Sequence, residues 1–235
     1  QAHRRSARRA PRGPARLGAA GRDRRGEPVR DQAAGRDRAN LHTRRKRAGF
    51  PTGKTFGDWH EGKSSIPRPT QDALKSLEWA GLRENFCICG PSGTGKSHFT
   101  EALGQTAVEA GLTAAWFTIE DLGALVRRHR ADDSIARALA KIVRSDLIIV
   151  DDIGLLPVSE DAAEGFYRLV DAAYERRSIA VSSNLHPSGF DEIMPKTLAT
   201  ATVDRLLHHA HVTVTQGDSF RFTKATTGKG VKPFS

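Results

Sequence analysis

Apolar residues follow two rhythms along this chain. Short unbroken runs occur at Phe86-Cys87-Ile88-Cys89, Thr113–Thr118, Leu147-Ile148-Ile149-Val150, Ile179–Ser183 and Val212–Thr215. Runs of this length and type read as strands buried on both faces, which is how strands of a parallel sheet look. Between them lie longer stretches with apolar residues at helical spacing, among them Ser97–Ala110 and Glu160–Arg176 with Phe166, Leu169 and Val170. Strands alternating with helices predict an α/β fold, a parallel sheet sandwiched between two helical layers. There are no internal repeats and no run of 18 apolar residues, which excludes a membrane-spanning helix in this sequence.

The first part of the chain breaks this pattern. Residues 1–33 are Arg, Ala, Gly and Pro with almost no large apolar side chains, a composition that predicts disorder. The charge sits there as well. The chain carries 37 Lys+Arg against 27 Asp+Glu, net +10. Residues 1–50 hold 16 against 4 of these, net +12, and the remainder 21 against 23, net −2. The picture is a near-neutral globular body with a basic tail. No apolar core follows the arginines as in a signal peptide, and Asp23, Glu27, Asp31 and Asp37 argue against a transit peptide. Three readings of the tail stay open: an arm that binds nucleic acid by counterion release, a tail without a specific role, and a truncated or out-of-frame product of a GC-rich gene. Residues 34–70 read as a helical and linker segment, 71–224 as the main domain and 225–235 as a flexible tail.

The chemistry begins at Gly90-Pro91-Ser92-Gly93-Thr94-Gly95-Lys96-Ser97, which is GxxxxGK[ST] with a strand before it and a helix after it. The glycines let successive backbone N–H groups turn toward phosphate oxygens, and the helix offers its positive end. In that context Lys96 reaches the β- and γ-phosphates and Ser97 ligates Mg²⁺. A similar stretch, Gly49–Thr55 (GFPTGKT), is a decoy. It needs a glycine where Ala48 stands, and no apolar strand precedes it.

The run Leu147–Val150 ends in Asp151-Asp152. Ligands collect at the C-terminal ends of parallel strands, so Asp151 is expected to hold Mg²⁺ and Asp152 to activate the attacking water. The run Ile179–Ser183 ends in Asn184, an amide suited to bridging that water and the γ-phosphate. Cys87 and Cys89 share one strand with no second pair, which reads as packing in a reducing, cytoplasmic compartment. His208, His209 and His211 lack ligand spacing and read as packing or surface residues.

Four stretches, GPSGTGKSH, LIIVDDIGLLP, SSNLHP and ATATVDRLLHHAHV, together resemble the IstB-like ATPases, AAA+ helper proteins of insertion-sequence transposition related to DnaC-type helicase loaders. The resemblance runs from about Ala34 to Arg221. It implies an AAA+ core without a full C-terminal lid. It also implies ATP and Mg²⁺ as cofactor and metal, Gly90 to Ser97 as the Walker A loop with His98 closing the matched stretch, Asp151 and Asp152 as Walker B, and Asn184 as sensor 1. Arg205, in Asp204-Arg205-Leu206, matches an arginine presented to a neighbouring subunit's γ-phosphate; the alternative is a salt bridge with Asp204 or another acid. Arg221 is a weaker candidate for a nucleotide-sensing arginine. Phe56 and Trp59 occupy the place of the adenine pocket, with core packing as the competing role.

The resemblance further implies double-stranded DNA and a transposase as partners, and a homo-oligomer on the DNA. A helicase-loader role is the runner-up; Asn184 and Arg205 speak against a metabolic kinase. Two basic clusters are candidate DNA contacts, Arg44, Arg45, Lys46 and Arg47, and the Arg127, Arg128 and Arg130 group, with a solvated helix face as the alternative for the second.

Overall fold

A computed structural model describes residues 29–220, with side chains described from residue 39 onward. The chain divides into two compact units, 1–39 and 40–235. Of the first, the described part is the beginning of helix α1 (Val29–Ala48); the sheet and the site belong to the second. Helix α1 starts at Val29, inside the stretch expected to lack structure, and runs through the basic cluster. The expectations for residues 1–28, for Arg221 and for the 225–235 tail lie outside the described residues.

Five strands form one sheet in the order β2-β3-β4-β1-β5, with β1 at Asn85–Cys89, β2 at Ala114–Thr118, β3 at Leu147–Ile153, β4 at Ser178–Ser183 and β5 at Ala210–Val214. All four pairings are parallel. The helices between strands are α4 (Lys96–Glu109), α5 (Ile119–Arg130), α6 (Ile135–Ile142), α7 (Glu160–Ala173) and α8 (Lys196–Leu207), preceded by the short α2 (Arg68–Lys75) and α3 (Glu78–Gly81). The central strands are buried as their composition requires: Leu147, Ile148, Ile149 and Val150 of β3 are wholly inaccessible.

Two apolar clusters divide the core. One gathers Leu122, Val126, Phe166, Leu169, Phe190 and Leu206 with Ile148 and Val150. The other gathers Trp79, Phe86, Phe99, Leu103 and Trp116 with Leu147 and Ile149. Alternate residues of β3 thus feed opposite clusters, the period-2 consequence of a strand covered on both sides.

Local sequence explains the helix ends. Thr118 caps α5 by accepting from the Asp121 N–H at 3.1 Å while Asp121 accepts from the Thr118 N–H at 2.8 Å, a reciprocal box. Glu120 and Asp121 open that helix and Arg127 to Arg130 close it, a charge order that complements the helix dipole. Helix α7 starts under the Ser159 hydroxyl and ends at Ala173, three residues before the expected end, because Glu175 takes a left-handed φ of 56°. The sequence reading missed α6, whose Ile135, Leu139 and Ile142 are buried at helical spacing. No helix among the described residues is long and apolar enough to cross a membrane.

Candidate nucleotide site

Strands β3, β4 and β1 are neighbours in the middle of the sheet, and the candidate residues follow their C-terminal ends. Ligands of open α/β sheets bind at that edge. The loop from Gly90 to Gly95 leaves β1 with the Gly90 N–H bonded to the Ser183 carbonyl of β4 at 3.1 Å. Gly93 and Gly95 adopt φ of 84° and 93°, which favour glycine. Space makes the same demand. A Cβ on Gly95 would meet the Trp59 ring at 2.9 Å, and one on Gly93 would collide with Ser219. The loop is gripped from its outer side by the chain after β5: the Phe220 N–H donates to the Gly93 carbonyl at 3.0 Å, and the Thr94 and Thr215 hydroxyls are 2.7 Å apart.

Lys96, 7% exposed, begins α4 and spans the site. Its Nζ donates to the Pro91 carbonyl and to Asn184 Oδ1, each at 2.8 Å. The Ser92 hydroxyl also donates to Asn184 Oδ1, at 3.4 Å. Ser97 Oγ donates to Asp151 Oδ1 at 3.0 Å. Five expected residues therefore form two hydrogen-bonded groups at the sheet edge, Ser92, Lys96 and Asn184 in one and Ser97 and Asp151 in the other, adjoining where Lys96 precedes Ser97 in the chain.

The two carboxylates are not equivalent. Asp151 is 5% exposed, and burial pushes its carboxyl above the ordinary range; hydrogen bonds from Ser182 and Ser97 pull it back, while the charge of Asp152 adds to the rise. Asp152 is exposed and left-handed, with φ of 61°. The β3–β4 register shifts between Val150 and Ile153. A regular strand sends adjacent side chains to opposite faces, and an irregularity of this kind re-aims one of them. The sequence reading expected the carboxylates to follow the strand; they lie within it, at this irregularity. The donors fit a hard divalent cation: a buried carboxylate disfavoured as a lone anion, beside a hydroxyl oxygen at hydrogen-bond distance.

Other expected residues have different surroundings. Phe56 packs edge-on against Phe99 at 5.3 Å, and Trp59 against His98 and Phe99 at 5.1 and 5.3 Å. Both belong to the core fringe, and Trp59 also lies against the phosphate loop at Gly95. Wholly buried Gln71, which the sequence reading missed, fixes Trp59 by accepting from its Nε1 at 2.8 Å. His98 Nε2 is 3.1 Å from the Thr55 carbonyl. Arg205 is paired with Asp171, not with Asp204, at 2.9 Å.

The decoy stretch around Thr52 is held by Glu101 of α4, which is 2% exposed and accepts from the Thr52 and Gly53 N–H groups at 3.0 and 2.6 Å. A carboxylate occupies those donors, consistent with the absence of a phosphate loop there. Of the basic clusters, Arg127 and Arg130 pair with Asp161, and Arg130 also with Glu164. Arg45 pairs with Glu109, and Arg44 donates to the Gly111 carbonyl at 2.6 Å. Lys46, Arg47 and Arg128 are exposed. The histidines pair locally, His208 with the Tyr174 hydroxyl and His211 with Glu84, and no cluster of metal-ligating residues occurs among the described residues. Burial pushes the Cys87 thiol upward, as a packed strand residue requires.

Comparison with known proteins agrees with this geometry. The profile of the IstB-like ATP binding protein family matches residues 22–227. The match is wider than the resemblance read from the motifs, so residues 22–33, expected to lie outside it, fall inside. A protein of Bacillus thuringiensis subsp. berliner, named as an ATP-binding protein of insertion sequence IS232, is 32% identical over 184 residues, 77% of this chain and 73% of the relative. An IS21 counterpart of Pseudomonas aeruginosa is 32% identical over 183 residues, 77% of this chain and 69% of the relative. Among solved structures, AMPPCP-bound DnaA of Aquifex aeolicus aligns with a TM-score of 0.58 at 20% identity, over 79% of this chain and 58% of that one. The DnaC helicase loader aligns with a TM-score of 0.53 at 16% identity, over 70% of this chain and 98% of that one. The chain therefore belongs to the IstB-like ATP-binding proteins of insertion sequences, on a fold like that of DnaA and DnaC.

Proposed function

We propose that this protein hydrolyses ATP with Mg²⁺, assembles as a homo-oligomer on double-stranded DNA and stimulates a partner transposase. The observation that carries the hydrolysis reading is the adjoining pairs Lys96–Asn184 and Ser97–Asp151 at one end of the sheet. In this reading the loop from Gly90 to Gly95 turns its N–H groups to the phosphates, and Trp59 and Phe56 wall the base. Ser97 and Asp151 hold Mg²⁺, which when bound neutralises phosphate charge. Lys96 exchanges its carbonyl partner for phosphate oxygens. Asn184 orients the attacking water, and exposed Asp152 accepts its proton. Arg205 reaches a neighbouring protomer's γ-phosphate, so turnover needs assembly.

Insertion-sequence relatives support the transposition role; the fold likeness to the DnaC loader supports a helicase partner as the second reading. The basic clusters carry the DNA reading, reduced to Lys46, Arg47 and Arg128 by the ion pairs of Arg45, Arg127 and Arg130 and the hydrogen bond of Arg44 to a carbonyl. Such side chains grip phosphates without reading bases. The test is phosphate release from ATP with and without duplex DNA, together with sedimentation in ATP and ADP. DNA-stimulated turnover by an ATP-dependent oligomer is the expected result. A monomer indifferent to DNA in both nucleotides would overturn it.

A further inference from the structure

Arg205 does not hang free from its helix. Three groups of its own chain hold the guanidinium. Nε is ion-paired with Asp171, 2.9 Å from its Oδ1, Nη1 donates to the Ala201 carbonyl one turn earlier at 3.1 Å, and the carbon of the guanidinium lies 5.7 Å from the centre of the Tyr167 ring. Tyr167 and Asp171 are four residues apart on α7, so they rise from one face of that helix, against which α8 packs. The Nε edge and one side of the fork are thereby taken. Nη2 is the end of the fork that neither of these contacts uses, and the side chain as a whole is 30% exposed.

We infer that Asp171 is a positioning residue that holds the Arg205 guanidinium in the orientation in which its Nη2 end meets the nucleotide of a neighbouring protomer, with the Tyr167 ring as the second support. The inference rests on the trans role proposed above for Arg205. An arginine carries many rotamers, and a guanidinium fixed before assembly loses less freedom when it engages phosphate. The Asp171–Arg205 pair is half exposed, 52% on the acid side. A pair in that setting adds little to folding stability. Its effect belongs in turnover, read in the partner's site.

Asp171→Ala and Arg205→Ala are compared with wild type for turnover, nucleotide KM and thermal midpoint in the presence of DNA. Asp171→Ala is expected to lower kcat by about ten- to a hundredfold, the upper end being the cost of an ångström of misplacement, with KM and thermal midpoint nearly unchanged. Asp171→Asn, which keeps Oδ1 as an acceptor, recovers most of that loss. Asp171→Ala protomers are then mixed with Asp152→Asn protomers, which supply an intact Arg205 but turn over no ATP themselves. Turnover in the mixture should exceed the sum of the parts, a gain that a folding defect would not produce. If Arg205→Ala retains full turnover, the trans role falls, and the inference with it. If Arg205→Ala loses turnover but Asp171→Ala does not, or the mixture shows no gain, the inference alone is overturned.

Discussion

At the scale of single residues, the site is a set of polar groups that satisfy one another before any nucleotide arrives. Lys96 divides its hydrogen bonds between the Pro91 carbonyl and Asn184, and Asp151 takes the Ser97 hydroxyl. Removing the amine should abolish nucleotide binding, so titration calorimetry of Lys96→Ala with ATP is expected to give no heat of binding. Asp152 makes no such bond and stands exposed, so Asp152→Asn should bind ATP as wild type does and release no phosphate above background. Asp151 is the case where binding and stability oppose each other. Burial raises its carboxyl, so the folded chain holds that proton more tightly than the unfolded chain. The stability it contributes is present at low pH and is lost as pH rises through the raised value. Asp151→Asn should therefore raise the thermal midpoint of the nucleotide-free protein at neutral pH and remove the dependence of ATP affinity on Mg²⁺. An unchanged or lower midpoint would count against the burial argument.

At the scale of elements, what was legible in the sequence was what local composition dictates. Four apolar residues before Asp151 can form little but a covered strand, and a glycine loop between strand and helix names itself. Residues defined by long-range contact left no such mark. Gln71, Glu101 and Asp171 look like ordinary polar helix positions; only the fold brings them to Trp59, the Thr52 loop and Arg205. Helix α6 was missed because its eight residues make a short pattern, and the irregularity that re-aims Asp152 depends on pairing with β4. Glu101 gives a prediction at this scale. It accepts from both the Thr52 and Gly53 N–H groups, so Glu101→Ala takes that partner from both. Denaturant unfolding should show a loss of about 1–3 kcal/mol, the usual scale for hydrogen bonds to a charged group. A loss below a few tenths would mean the loop is held by other contacts.

For the whole molecule, the question is what one protomer lacks. Its sheet edge gathers a glycine loop, two carboxylates and an amide, and Arg205 is anchored to Asp171 where α8 packs on α7. The formal charge of +10 comes from residues 1–50, at +12, while the rest of the chain is −2. With Lys46, Arg47 and Arg128 as the cluster cations outside the pairings of Arg44, Arg45, Arg127 and Arg130, a single protomer is expected to grip DNA weakly, and the proposed assembly would multiply both that grip and the proposed trans arginine. On the proposed trans role of Arg205, turnover per protomer is expected to be a property of the oligomer. The most direct measurement is the specific ATPase rate against protein concentration at fixed, saturating ATP and DNA. It should rise steeply and then level off as protomers meet. A rate per protomer that is constant from the lowest concentration upward, in a sample that sediments as a monomer, would contradict the account.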